Sequence, residues 1–137
     1  MIQRLQSIWL LLAAVCSFLT FRVSFYYGVK TGATVPESIN ATSTILLIIC
    51  AAAAGLGSFV AIFLYKDRKT QLRVTAIALI FSMLSLVIYF SLTRDFTGGG
   101  HLLLSSIVSM AIPVFLVLAI RGIWKDQKLV KSLDRLR

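Results

Sequence analysis

Four long apolar runs decide what this chain can become: residues 7–27, 42–65, 72–92 and 102–124. A helix crossing about 30 Å of hydrocarbon needs roughly 20 residues at about 1.5 Å each, and every run meets that length. No water reaches the bilayer core, so each segment must satisfy its own backbone donors and acceptors; only a helix or a closed barrel does so. A barrel would need short segments alternating apolar with polar residues, and Ile45-Leu46-Leu47-Ile48-Ile49 does not alternate. The soluble alternative would have to hide all four stretches in one core. The composition opposes that: 58% hydrophobic, mean hydropathy +0.91 and only 14% charged, where soluble chains carry about 25% charge. Intrinsic disorder needs few apolar residues and is excluded. The expected fold is all-α: a polytopic membrane protein with four transmembrane helices in an antiparallel up-down bundle, one membrane domain over residues 1–137.

The net charge of +9 is a topology signal. Arg4, Lys66, Arg68, Lys69, Arg73, Arg121, Lys125, Lys128, Lys131, Arg135 and Arg137 fall on one side of the expected bundle, and Arg22, Lys30 and Arg94 on the other. Short cytoplasmic loops are the ones enriched in Lys and Arg, so both termini are expected in the cytoplasm. The same cations could attract anionic headgroups. No interleaved aromatic-basic surface accompanies them, which argues against nucleic acid. Ala13-Ala14-Val15-Cys16 only faintly resembles a lipoprotein cleavage box, and the apolar run continues past Cys16; it is read as a retained first span.

The connections carry weaker signals. Residues 28–41 read as a polar external loop, with Asn40 and Thr42 as candidate N-caps for the second helix. Gly98-Gly99-Gly100 reads as a flexible turn, since a phosphate loop needs Lys and Ser/Thr at set positions after its glycines. His101, the one histidine, is expected as a partly solvated cap at the start of the fourth span.

Within the spans, Ala51 with Gly55, Ala54 with Ser58, and Gly57 with Ala61 stand four apart and form small-residue faces for close helix packing. Pro113 removes the helical partner of the Ser109 carbonyl, so a kink is expected there. The ends are amphipathic: Ile2, Leu5 and Ile8 recur every three residues, and Leu129, Leu133 and Leu136 share a face opposite Lys128, Lys131 and Arg135. The tail, residues 125–137, could extend the fourth span, lie on headgroups or dock on a partner. Arg4, Arg68, Lys69, Arg73, Lys125, Lys128, Lys131 and Arg135 are the candidate contacts for a cytoplasmic partner or for headgroups.

Several chemistries lack their residues. Glu37, Asp67, Asp95, Asp126 and Asp134 all read as loop or tail positions, leaving no membrane carboxylate for proton-coupled transport. One histidine cannot supply paired haem ligands. Cys16 and Cys50 are isolated, and Ser58 has no histidine at comparable depth. No catalytic, cofactor or metal site is expected, although a bound lipid is compatible with the pattern.

Met1-Ile2-Gln3-Arg4 with Gln6, then Arg68-Lys69 with Gln71-Leu72-Arg73, and above all the tail from Lys125-Asp126-Gln127-Lys128 to Asp134-Arg135-Leu136-Arg137 resemble a family. It is a domain-of-unknown-function family of small four-helix inner-membrane proteins of Bacteroidota, and the resemblance covers the whole chain. It implies a bacterial inner-membrane location and transfers no catalytic residue. The expected function is a non-catalytic subunit or accessory factor of a larger inner-membrane complex, such as a translocation or respiratory one, partnered by other integral membrane proteins and lipids. The alternative is a small homo-oligomeric transporter or lipid- or quinone-binding protein, with a cavity beside Pro113 and Ser109.

Overall fold

A computed structural model describes residues 2–96 and 99–134, with side chains over 5–96 and 99–133. In chain order it comprises α1 (Ile2–Leu19), β1 (Tyr26–Val29), β2 (Pro36–Ile39), α2 (Ile45–Phe63), a 3-10 turn (Leu64–Lys66), α3 (Arg68–Thr93), β3 (His101–Leu102) and α4 (Ser106–Asp134). Consecutive helices pack on one another, and α1 also packs against α4, closing a ring. Facing residues run in opposite sequence directions. Gly57 meets Ala78 while Gln71 reaches Ala61; Gln6 lies against Gly122 while Ser105 donates to the Ser24 carbonyl.

Buried positions in every helix repeat at three- and four-residue steps. They are Gln6, Leu10, Ala13 and Ser17 on α1; Leu47, Ala51, Ala54, Ser58 and Ala61 on α2; Gln71, Thr75, Ala78, Ser82, Ser85 and Tyr89 on α3; and Ser109, Ile112, Leu116, Ala119, Ile123 and Asp126 on α4. A mean step of 3.5 keeps one stripe facing its neighbours along the whole helix. Polarity is reversed from the soluble pattern. Small and hydroxylated residues point inward, while Leu11, Val15, Ile49, Phe59, Ile77, Ile80, Val87, Ile107 and Val114 are exposed on the outside. Small residues let the backbones approach, which drives association in lipid, where apolar burial gains nothing.

Carbonyl groups satisfy the inward hydroxyls. Thr20 Oγ1 donates to Ser17 O at 2.6 Å, Ser58 Oγ to Ala54 O at 2.6 Å, Thr75 Oγ1 to Gln71 O at 2.8 Å and Ser85 Oγ to Ser82 O at 2.7 Å. Some bonds cross between helices, among them Ser17 Oγ to Ala51 O at 2.7 Å and Gln71 Nε2 to Ala61 O at 3.0 Å. The protein is a membrane protein by these features: the segments Ile45–Lys66, Arg68–Thr93 and Ser106–Leu133 are long and apolar enough to span.

The first expected span is corrected. Its helix, α1, ends at Leu19; the chain then turns and enters β1 instead of continuing to residue 27. Thr20 to Tyr27 is dense in β-branched and aromatic residues, which favour extended chain, and exposed Arg22 stands in the turn. The Thr20 carbonyl leaves the helix ladder to accept from Ala41 N–H at 3.1 Å.

The four helices make the fold mostly helical, as expected, but the same region adds a small three-stranded sheet that the all-α reading lacks. Residues 28–41 are not a plain loop: β1 pairs antiparallel with β2 (Tyr26 opposite Ile39, Val29 opposite Pro36) and with β3 (Tyr27 opposite His101). Phe25 fastens this sheet to the helices, donating its N–H to Ile39 O at 2.6 Å and stacking on Tyr89 with centroids 4.5 Å apart. Further corrections follow. Thr44, not Asn40 or Thr42, holds the N-cap position of α2; Asn40 Oδ1 instead accepts from the Thr42 and Ser43 hydroxyls at 2.7 and 3.2 Å. His101 lies in a strand, and α4 starts at Ser106 and runs on through the expected tail to Asp134. Asp126 therefore sits inside a helix and is buried, 6% exposed.

Two glycines separate the described part of the triglycine run from simple flexibility. A Cβ on Gly28 would lie 2.7 Å from the Gly100 backbone, whereas one on Gly99 meets nothing within 4 Å. Gly28→Ala is expected to cost about 1–3 kcal/mol by overpacking and Gly99→Ala under about 0.5 kcal/mol, read from thermal unfolding in detergent.

At the other end, Asp67 caps α3: Thr70 donates its hydroxyl at 2.6 Å and its N–H at 3.4 Å. Chiefly through that hydroxyl, then the Thr70 N–H, the carboxyl is held below its ordinary value of 3.8. A folded value below the unfolded one means the cap stabilises fully above the ordinary value and fades as pH falls through the lower one. Asp67→Ala is expected to lower the melting temperature at neutral pH, with the gap closing in acid.

Candidate functional site

One end of the helix ring gathers the start of α3, the end of α2 and the far end of α4. At 29 residues α4 extends about 43 Å, so some 13 Å exceeds a hydrocarbon core of about 30 Å. That overhang lies beside the start of α3, where Arg68 donates from a guanidinium nitrogen to the Asp126 carbonyl at 3.0 Å.

Between them lies an open groove of about 560 Å³, lined by Arg68, Lys69, Trp124, Gln127, Lys128, Val130 and Lys131. Among the described residues that line it there are four cations and no carboxylate. Lys128 Nζ stands 5.9 Å from the centre of the exposed Trp124 ring, within cation–π reach. A positive concavity of this kind attracts anionic groups and holds them by charge-assisted hydrogen bonds.

Arg68 also lines a second groove, of about 580 Å³, between α1 and the α2–α3 junction. Its walls are apolar at Ile8, Ile62 and Phe63, and polar at Gln6, Ser7, Tyr65, Arg68 and Gln71. Gln6 is 5% exposed, and its Nε2 is a buried donor without a hydrogen-bond partner among the described residues.

Of the expected contact residues, the fold thus brings Arg68, Lys69, Lys128 and Lys131 together. Arg73 and Lys125 are exposed and line neither groove. The side chains of Arg4 and Arg135 lie outside the described residues. Ala51, Ala54, Gly55, Ser58 and Ala61 are buried within the ring. A Cβ on Gly55 would come to 3.3 Å from Ser17 of α1, and one on Gly57 to 3.2 Å from Ala78 of α3. Ser109 and Pro113 are buried and line neither groove, and α4 runs as one helix through Pro113. The Ser109 and Thr20 hydroxyls interact with that of Tyr89. Cys16 and Cys50 are free thiols.

Gln6, Tyr65, Gln71, Trp124 and Gln127 were not legible as a site from spacing. One signal was present: all four glutamines of the chain, Gln3, Gln6, Gln71 and Gln127, fall in segments that fold to this end.

No curated protein and no solved structure matches the chain. A family model described as Domain of unknown function (DUF4293) matches residues 2–136, nearly the full length, and the chain belongs to that family.

Proposed function

We propose that this protein is a non-catalytic integral subunit or accessory factor of a larger membrane protein complex in the bacterial inner membrane, with both termini and the basic end in the cytoplasm. The observation carrying this reading is the basic groove of Arg68, Lys69, Lys128 and Lys131, formed where α4 outruns the length a bilayer requires. A helix needed only to span would stop near Asp126, about 30 Å from Ser106. The overhang instead presents Lys128 and Lys131 with the exposed apolar Leu129 and Leu133, just beyond the exposed Trp124.

Charge distribution supports the orientation, since the basic residues concentrate at this end. The partner is an integral membrane protein with an acidic segment on its cytoplasmic side. Among the described residues Asp126 is the carboxylate on an inward stripe, and it lies with Gln6 and Gln71 toward the basic end; deeper between the helices the stripes carry small, hydroxylated and apolar side chains. That interior suits a scaffold that positions surfaces.

Purification of the tagged protein from native membranes in mild detergent tests the proposal. A stoichiometric membrane partner is expected with the wild type. Combined Lys69→Glu, Lys128→Glu and Lys131→Glu is expected to cut its recovery at least tenfold with the melting temperature little changed, because complementary charge sets such contacts. A wild type recovered alone, or a partner retained undiminished by the triple variant, contradicts it.

A further inference from the structure

We propose that the second groove, between α1 and the α2–α3 junction, binds one anionic phospholipid, with its phosphodiester against Arg68 and Gln6 and an acyl chain along Ile8, Ile62 and Phe63. The groove is graded in the direction a lipid requires. Tyr65 and Arg68 stand at the basic end, while Ile62 and Ile8 lie further along their helices toward the apolar middle. Ile8 and Phe63, at the groove wall, are 49% and 65% exposed. A soluble anion has no use for such an apolar lip; an acyl chain covers it.

Two features of the wall call for an acceptor. Gln6 Nε2 is a buried donor with no described partner, and buried donors without partners are rare because each forfeits its hydrogen bond. Phosphodiester oxygens supply acceptors. Arg68 is half-buried and spends one of its five N–H donors on the Asp126 carbonyl. The neighbouring Asp67 carboxylate turns instead to the Thr70 hydroxyl and N–H, from which it accepts at the start of α3. A guanidinium with donors to spare, beside an unmatched amide and above an apolar slot, recognises a phosphate joined to a hydrocarbon tail.

This site depends on the membrane setting and not on the docking reading: Lys69, Lys128 and Lys131 line the other groove. The test uses the full-length protein in mild detergent, with lipid adducts counted by native mass spectrometry. The probes are dioleoyl phosphatidylglycerol, dioleoyl phosphatidylcholine and inorganic phosphate. One phosphatidylglycerol is expected to bind about tenfold more tightly than phosphatidylcholine, the scale of a charge-assisted contact, and inorganic phosphate not to compete. Arg68→Gln is expected to abolish the preference, while Arg121→Gln, exposed on α4 away from the groove, keeps it. Gln6→Leu serves if Arg68→Gln does not fold: it removes the unmatched donor, so it melts no lower than wild type without lipid yet loses about threefold in preference. Equal binding of the two lipids, full competition by phosphate, or a preference that survives Gln6→Leu and Arg68→Gln overturns the proposal.

Discussion

Hydrogen-bond demand in a medium without water governs this fold. A polar group inside the helix ring has no water to turn to and must find its partner elsewhere, and apolar groups outside lose nothing by exposure to lipid. The hydroxyls of Thr20, Ser58, Thr75 and Ser85 therefore turn inward onto carbonyls of their own helices. Ser17 and Gln71 go further and tie α1 to α2 and α3 to α2. Ala13, Ala51, Ala54, Ala61, Ala78 and Ala119 stand among the inward positions and let the backbones come close enough for those bonds to form. The stripe of three- and four-residue steps on all four helices is the geometric consequence.

The two ends answer different requirements. At the sheet end, Phe25, Ile39, Leu47 and Tyr89 make a compact apolar cluster that anchors β1 to α3. Gly28 passes the Gly100 backbone too closely for any side chain. At the basic end the helices stop at different heights, with Asp67 capping α3 and α4 continuing past it. Unequal lengths leave grooves, and the cations that mark the topology line them. Arg68, held to the Asp126 carbonyl, is the wall common to both.

Much of this was legible in the sequence because hydrocarbon imposes length and polarity so strictly. The apolar runs at 42–65, 72–92 and 102–124 correspond to α2, α3 and α4, with ends displaced by the 3-10 turn, the Asp67 cap and the α4 overhang. The first run misled because apolarity alone does not distinguish a helix from an extended aromatic segment: Phe25, Tyr26 and Tyr27 are as hydrophobic in a strand as in a span. The third strand was hidden because it is remote in sequence, His101 pairing with Tyr27, and the β1–β2 pair because its residues read as the end of a span and a polar loop. Of the site, the basic residues were visible as charge, but the gathering of Arg68, Lys69, Lys128 and Lys131 into one groove depends on helix lengths and on the buried Asp126. The inward stripe of Gln71, Thr75, Ala78, Ser82, Ser85 and Tyr89 was present in the sequence as a strict repeat, masked by the apolar residues between.

Site-directed spin labelling along α3, with Cys16 and Cys50 replaced and the protein in lipid vesicles, tests the reversed polarity most directly. Single labels at Ile77, Ile80, Leu84 and Val87 are expected to collide with oxygen, which concentrates in acyl chains, and to be shielded from a water-soluble nickel reagent. Labels at Ala78, Ser82 and Ser85 are expected to be shielded from both. Outward positions open to the nickel reagent, or collision profiles with no helical period, would contradict a ring of helices bathed in lipid.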